Sequence, residues 1–459
     1  MKSTPQAAPI LAEAAATTRW PDVPDDVQSM ALDLFADALS VMAGGSVHHT
    51  MEALAETINA PRGPSTLIGE GRGASTRDAI VLNAATTTVL QRQDGFAHAK
   101  GHPASQLVPV VLALAEREAE AAADDMLSAF LAGYEVATRI GVALAGVPPH
   151  LHDIGNWVTI GNAAAAAHLL SRSNADVITA ATDGAASLAL AFDRYTTVGG
   201  ATMHHLYPAM AATQALAVAE AAVAGLTSLP GSLERFYGPN FGRDFDAASL
   251  SDGIENGRWS PFWILDGYFK MHPSCAHLHG VNDAVDALLA EDGVCEDTIA
   301  SVDVATFDEA IAIDTATPGN DLAARFSAKA TVAAAIRHGR LDDGGLLDLK
   351  ALEPLMDRVS VRHDRDLDRH APAGRPGIVT MHLTDGRALT KTVIFPHGTP
   401  ETLATRDERR AKALELLARR YGHEGALNVY EAVMSLGPED SLSRLSDALR
   451  HWPTGAYAR

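Results

Sequence analysis

The feature that most constrains this chain is a stripe of apolar residues with helical spacing that returns again and again up to about residue 265. Over residues 25–45 it runs through Met30, Ala31, Leu34, Phe35, Ala38, Leu39 and Met42, the 3.6-residue period of a helix with one buried face. Asp25 and Asp26 follow Pro24 and can cap its first turn, and Gly44 and Gly45 end it. The same period marks 77–90, 105–122, 125–145, 161–170 and 209–224. Many of these segments are rich in Ala, whose small side chain lets helices approach closely. Alternating β-branched runs are scarce here.

The pattern changes near Lys270. A helical stretch at 281–289 precedes an alternating run at 299–307, and a further helix is expected over 321–338, closed by Gly339. Extended segments follow at 359–363, 377–383 and 388–395, the last two joined by an Asp-Gly turn and expected to form a hairpin. Helical periodicity returns at 405–417 and 426–449. A length of 459 residues exceeds one compact core. The expected fold class is therefore mainly α. A large discontinuous helical domain, 1–267 completed by 402–459, carries a smaller α+β lid domain at 268–401.

With a formal net charge of −21, the chain lacks the basic face that nucleic acid or an anionic membrane requires. Any anion site must rely on local cations. Cys275 and Cys295 are the only cysteines, too few for a disulfide framework, a four-cysteine zinc site or an iron–sulfur cluster held by three or four thiolates. Neither a signal peptide nor an apolar run of ~18 residues is apparent, so the expected compartment is the cytoplasm. The nucleotide-binding glycine patterns and the G-x-S-x-G elbow are absent.

Four stretches carry the chemistry. In 91–105, QRQDGFAHAKGHPAS, a loop between helices holds Asp94, His98, Lys100 and His102. One carboxylate and two imidazoles can form a proton relay, since His titrates near neutrality; a solvated turn whose Asp caps a helix is the plainer alternative. The spacing matches no compact zinc motif. His150 and His152 precede the helix expected from Gly161, and His204 and His205 follow a Gly pair before the next. In 268–280, YFKMHPSCAHLHG, Lys270 is a cation in an aromatic and apolar setting at the domain junction, where clefts concentrate. Partial burial there would lower its pKa and suit it to proton transfer or to holding a carboxylate. Cys275 reads as a packed thiol.

Taken together, these stretches resemble the MmgE/PrpD family, which includes 2-methylcitrate dehydratase, cis-aconitate decarboxylase and iminodisuccinate epimerase. The resemblance runs through Asp94, HPAS from His102, YEVATR from Tyr134 to Arg139, His152 before Gly161, KMHPSCAHLH from Lys270, FSAKATVAAAIRHG from Phe326 and HGTPETLATRDERRAKALELL from His397. It implies a helical main domain, a lid, a homodimer and no cofactor or metal. It also implies an active-site set of Asp94, His102, His152 and Lys270. Three positions depart: His98 stands where the family has Thr or another polar residue, Met203 or His204 where it has a Lys, and Ala330 where it often has a Tyr. The expected activity is that of a cofactor-independent lyase, a dehydratase or decarboxylase of a small di- or tricarboxylic acid; epimerisation, or metabolite binding without turnover, are the alternatives. His102 and His152 are expected to share proton transfer and Asp94 to orient a histidine or a substrate hydroxyl. Lys270 would anchor a carboxylate, with His98, Lys100 and His204 as further substrate contacts.

Overall fold

The computed structural model describes residues 6–118, 121–438 and 440–451; residues 119–122 of the expected 105–122 helix fall partly outside these. The chain is 59% helical and its sheets are small, so the fold is mainly α with a smaller α+β part.

The helical body is built on α1 (Asp25–Ser46), α2 (Thr76–Thr86), α3 (Pro103–Arg117), α4 (Ala123–Ala143), α5 (Trp157–Leu170) and α6 (Leu206–Val223). Its core takes in Leu11 and Ala12 near one end of the chain and Leu445 and Leu449 near the other. Helix α5 is Ala-rich and buried nearly all round, and it packs on α4 at the distance its small residues permit. A Cβ placed on Gly161 would stand 2.5 Å from Ala137 Cβ and 2.5 Å from the Gly133 carbonyl, so this crossing has no room for a side chain.

A second core lies in the later part of the chain. There α7 (His279–Leu289) and α8 (Ala328–His338) pack beside a four-stranded sheet of β3 (Ile299–Thr306), β4 (Val359–His363), β5 (Gly377–Leu383) and β6 (Ala388–Val393), where β1 and β2 are the short strands Gly95–Phe96 and Gly267–Tyr268. The order is β6-β5-β3-β4, with β3 and β4 parallel and the other pairs antiparallel. The hairpin expected from the Asp-Gly turn is present, pairing Ala388 with His382 and Val393 with Gly377 around Gly386, whose φ is 92°. Burial alternates strictly along β5, leaving one face against the helices.

Several boundaries differ from the periodicity. The 321–338 helix is broken, because the Ser327 hydroxyl caps α8 by accepting from the Ala330 amide and so starts a new helix after Asp321–Ala324. Helix α5 begins at Trp157, before Gly161. The expected segments at 405–417 and 426–449 are instead α9 (Arg406–Met434), kinked at Gly422, followed by a separate helix Ser443–Arg450. Among the described residues one helical stretch, Thr202–Val223, is long and apolar enough to cross a membrane by length and composition alone. It packs against α2 and α5.

The helical body and the α+β part meet at an ionic hub. Asp343, almost fully buried, faces Arg325 at 2.9 Å, Arg92 at 3.2 Å and Arg419 at 2.7 Å. Burial works to raise its pKa, but the three guanidinium groups hold it below the usual carboxylate range.

Candidate active site

Two short strands far apart in sequence bring the site together. β1 pairs antiparallel with β2, Gly95 opposite Tyr268, which sets the loop of Asp94 and His102 beside Lys270. The pairing needs a glycine: a Cβ on Gly95 would lie 2.0 Å from Tyr268 Cζ.

Asp94 is fully buried and caps α3. Its Oδ2 accepts from the Ala104 amide at 2.9 Å and its Oδ1 from the Ser105 amide at 2.8 Å, the carboxylate arrangement a helix N-terminus favours. Burial raises its pKa to about 6 against the pull of those amides. The Asp94 backbone carbonyl, not its side chain, touches the histidine: it accepts from His102 Nδ1 at 2.5 Å. A carbonyl can only accept, so the His102 proton is on Nδ1 and Nε2 carries the lone pair. Burial, aided by the Lys270 charge, lowers the His102 pKa to about 3 and keeps the imidazole neutral.

His152 has the opposite tautomer. The Ile154 amide donates to its Nδ1 at 3.0 Å, which places the proton of the neutral ring on Nε2. Burial lowers its pKa, while Asp153, with Oδ1 3.3 Å from Nδ1, pulls the other way. Asp153 is itself held below the usual carboxylate range: burial would raise it, and His152, His102 and Arg194 outweigh that.

His102, His152 and Lys270 line one cavity of about 290 Å³ between the two parts of the molecule. Lys270 is 1% exposed and makes no hydrogen bond or ion pair with a described residue. Burial lowers its pKa to about 8, against the pull of Cys275 and Asp153, which line the same cavity, so the ammonium persists at neutral pH. Arg194, Arg243 and Arg375 also line the cavity, with Asp153, Asp308 and Glu309 as its acids. Lys100 lines it too, but its ammonium is taken up by Glu309. Among the described residues, no three His, Cys, Asp or Glu side chains are arranged to hold a metal ion.

Not every expected residue reaches this cavity. Asp94 acts from behind, through its cap and its carbonyl. His98 points instead into an adjoining cavity lined by Ala371 and Pro372 and pairs with Asp266 at 3.5 Å; it is not a contact of the main cavity. His204, too, is not among the residues that line this cavity. It is buried one layer back, its ring 5.0 Å from that of His152 and its Nδ1 2.8 Å from the Thr197 hydroxyl. Met203, the other candidate for the family's Lys position, is 66% exposed. Ala330 is buried in the core of the α+β part.

Residues missed by the sequence reading include Asp153, Arg194, Arg243, His277, Asp308, Glu309 and Arg375; Cys275, read as packed, also lines the cavity, its thiol pushed up by burial. Asp153 was open to inference as the neighbour of His152. The arginines stand alone in segments without a motif.

Comparison with known proteins agrees with this architecture. Residues 10–240 match the MmgE/PrpD N-terminal domain and residues 272–436 the MmgE/PrpD C-terminal domain. The chain is 24% identical over 464 aligned positions to the cis-aconitate decarboxylase-like protein oryM of Aspergillus oryzae, covering 92% of this chain and 93% of that protein. Matched from one end of its helical body through its α+β part, the chain belongs to the MmgE/PrpD family.

Proposed function

We propose that this protein is a lyase that removes or delivers a proton next to a carboxylate of a small di- or tricarboxylic acid, using side chains alone. The observation that carries the proposal is the pairing of two neutral imidazoles of opposite tautomer across a cavity that also holds an unpartnered buried ammonium. His102 Nε2 offers a lone pair and is the base. His152 Nε2–H offers a proton to the departing group. Lys270 sits where negative charge develops as the carbon–hydrogen bond breaks, and a fixed cation in a water-poor cavity is worth far more there than in solvent.

The low pKa of free His102 suits this role once a polycarboxylate enters, because anionic neighbours favour the imidazolium. If a hydroxyl leaves from the adjacent carbon, its oxygen takes the His152 proton and departs as water. If a carboxylate leaves as CO₂, its bonding pair remains on carbon and is protonated by an imidazole. Support for a lyase comes from the family and from the relative named for cis-aconitate decarboxylation. As part of the same reading we place the protein in the cytoplasm and take it as a homodimer, supported by the exposed apolar side chains Met203, Met210 and Val223 along the helical stretch of α6.

The test is turnover in D₂O by chelator-treated protein offered cis-aconitate, citrate, 2-methylcitrate, malate and iminodisuccinate, followed by NMR. Loss of water or CO₂ with deuterium entering next to a carboxylate is the expected result. Deuterium entry with inversion alone would replace the lyase by an epimerase, and no change in any acid would remove the proposal.

A further inference from the structure

Arg375 is a buried cation with two guanidinium nitrogens left unsatisfied. It precedes β5 in the α+β part, it is 3% exposed, and its Nε and Nη1 are buried without a hydrogen-bond partner. Its side chain makes no ion pair with a described residue, and the Tyr268 ring lies 5.2 Å from the guanidinium carbon. An arginine so placed loses its hydration with only an aromatic face in return, a costly state unless a ligand completes it.

The position is also held firmly. The Arg375 amide donates to the Ile394 carbonyl at 3.0 Å. Its own carbonyl is packed so closely on α7 that a Cβ on Gly280 would be 2.1 Å from it. Tyr268, under the guanidinium, is pinned by the ladder with Gly95. Arg375 therefore faces the cavity from the α+β part as a fixed planar fork, in the same cavity as Lys270.

We propose that Arg375 is a second carboxylate site of this cavity, receiving a carboxylate of the substrate other than the one held by Lys270, and that it selects acids with two or more carboxylates over monocarboxylates. The proposal rests on the reading that the cavity takes a small carboxylic acid, and it deepens that reading by naming the residue that counts carboxylates. The guanidinium fork fits a carboxylate bidentately, which the point charge of Lys270 does not. The ligand would bridge the helical body and the α+β part.

Binding rather than turnover tests this. Tricarballylate, glutarate and butyrate are titrated by calorimetry into the full-length wild-type protein and into Arg375→Gln, Arg375→Lys and His102→Asn. Wild type and His102→Asn are expected to hold tricarballylate and glutarate at least about 30-fold more tightly than butyrate, the low end for a desolvated charge pair. Arg375→Gln should lose most of that preference while butyrate affinity changes less than threefold, and Arg375→Lys should lose at least tenfold on tricarballylate because the fork is gone. Ethylguanidinium should restore part of the preference to Arg375→Gln. If Arg375→Gln fails to fold, Arg375→Lys alone decides. An unchanged preference in the Arg375 variants would overturn the subsite and leave the lyase reading standing. A wild type that does not prefer polycarboxylates would overturn the subsite and the substrate class together. Lost preference in a protein that exchanges no protons would sustain the subsite and sink the lyase.

Discussion

Replacing Lys270 by Arg should abolish the alkaline limb of the pH–rate profile. Lys270 is buried, unpartnered and lines the cavity, and burial lowers its pKa from 10.5 to about 8. The active form is the ammonium, so its contribution is full at pH 7 and is lost as pH rises through about 8. Above that point kcat/KM of the wild type falls tenfold per unit until the neutral-lysine rate remains. Other groups at the cavity do not produce this limb: Tyr268 is pushed up to about 12 and the Cys275 thiol above its ordinary value, both chiefly by burial. On the acid side His102, with a pKa near 3, adds no limb above about pH 5, whereas Asp94, raised to about 6, titrates behind it and sets any fall there. A guanidinium stays charged at every accessible pH, so Lys270→Arg should be slower in absolute terms but flat from pH 7 to 10. Lys270→Met removes the cation, costing about 2 kcal/mol or more, or about 30-fold in kcat/KM at pH 7, and should also be flat. The assay is kcat/KM against pH for the three proteins on the acid identified by turnover. A limb near pH 8 that survives in Lys270→Arg, or a Lys270→Met protein within twofold of wild type, would refute the reasoning.

Other perturbations have outcomes of definite sign. Asp343→Ala should destabilise the protein by about 3 kcal/mol, the low end for breaking a buried ion pair, because Arg92 and Arg419 retain Glu415 whereas Arg325 keeps only carbonyls; denaturant titration checks this. In wild type the same contribution is present above the ordinary Asp pKa of 3.8 and is lost as pH falls through the lower folded value. Asp94→Ala removes the acceptor of two α3 amides and should cost about 1–2 kcal/mol in stability while lowering kcat through a displaced His102; Asp94→Asn, keeping one acceptor, should lose less of both. Gly95→Ala should weaken the β1–β2 pairing against Tyr268, seen as a lowered thermal midpoint together with a raised KM.

Much of the helical body was legible because its helices carry periodic stripes, and the hairpin because Asp385-Gly386 demands a tight turn. The helix breaks were less so: the Ser327 cap and the bridging of α9 across Gly422 depend on one side chain or one dihedral, which periodicity averages away. At the site, His102, His152 and Lys270 could be picked out because polar, titratable residues are conspicuous in a loop or an apolar segment. Asp94 was picked out for its side chain, yet it holds His102 by its carbonyl, and no side-chain pattern records that. The placement of His204 behind His152 and of His98 in the neighbouring cavity depends on packing between segments distant in sequence. So does the convergence of Arg194, Arg243 and Arg375, each an isolated arginine in its own segment. The acidic net charge directed attention to local cations but left unnamed the arginines that line the cavity.

His102 Nε2 acts as the base in the proposed reaction. The measurement is the rate of deuterium entry next to a carboxylate of the substrate, compared between wild type and a folded His102→Asn protein saturated with the same acid. A fall of about 10²–10⁴-fold is expected for a lost general base. Exchange at the wild-type rate would show that the proton is taken elsewhere.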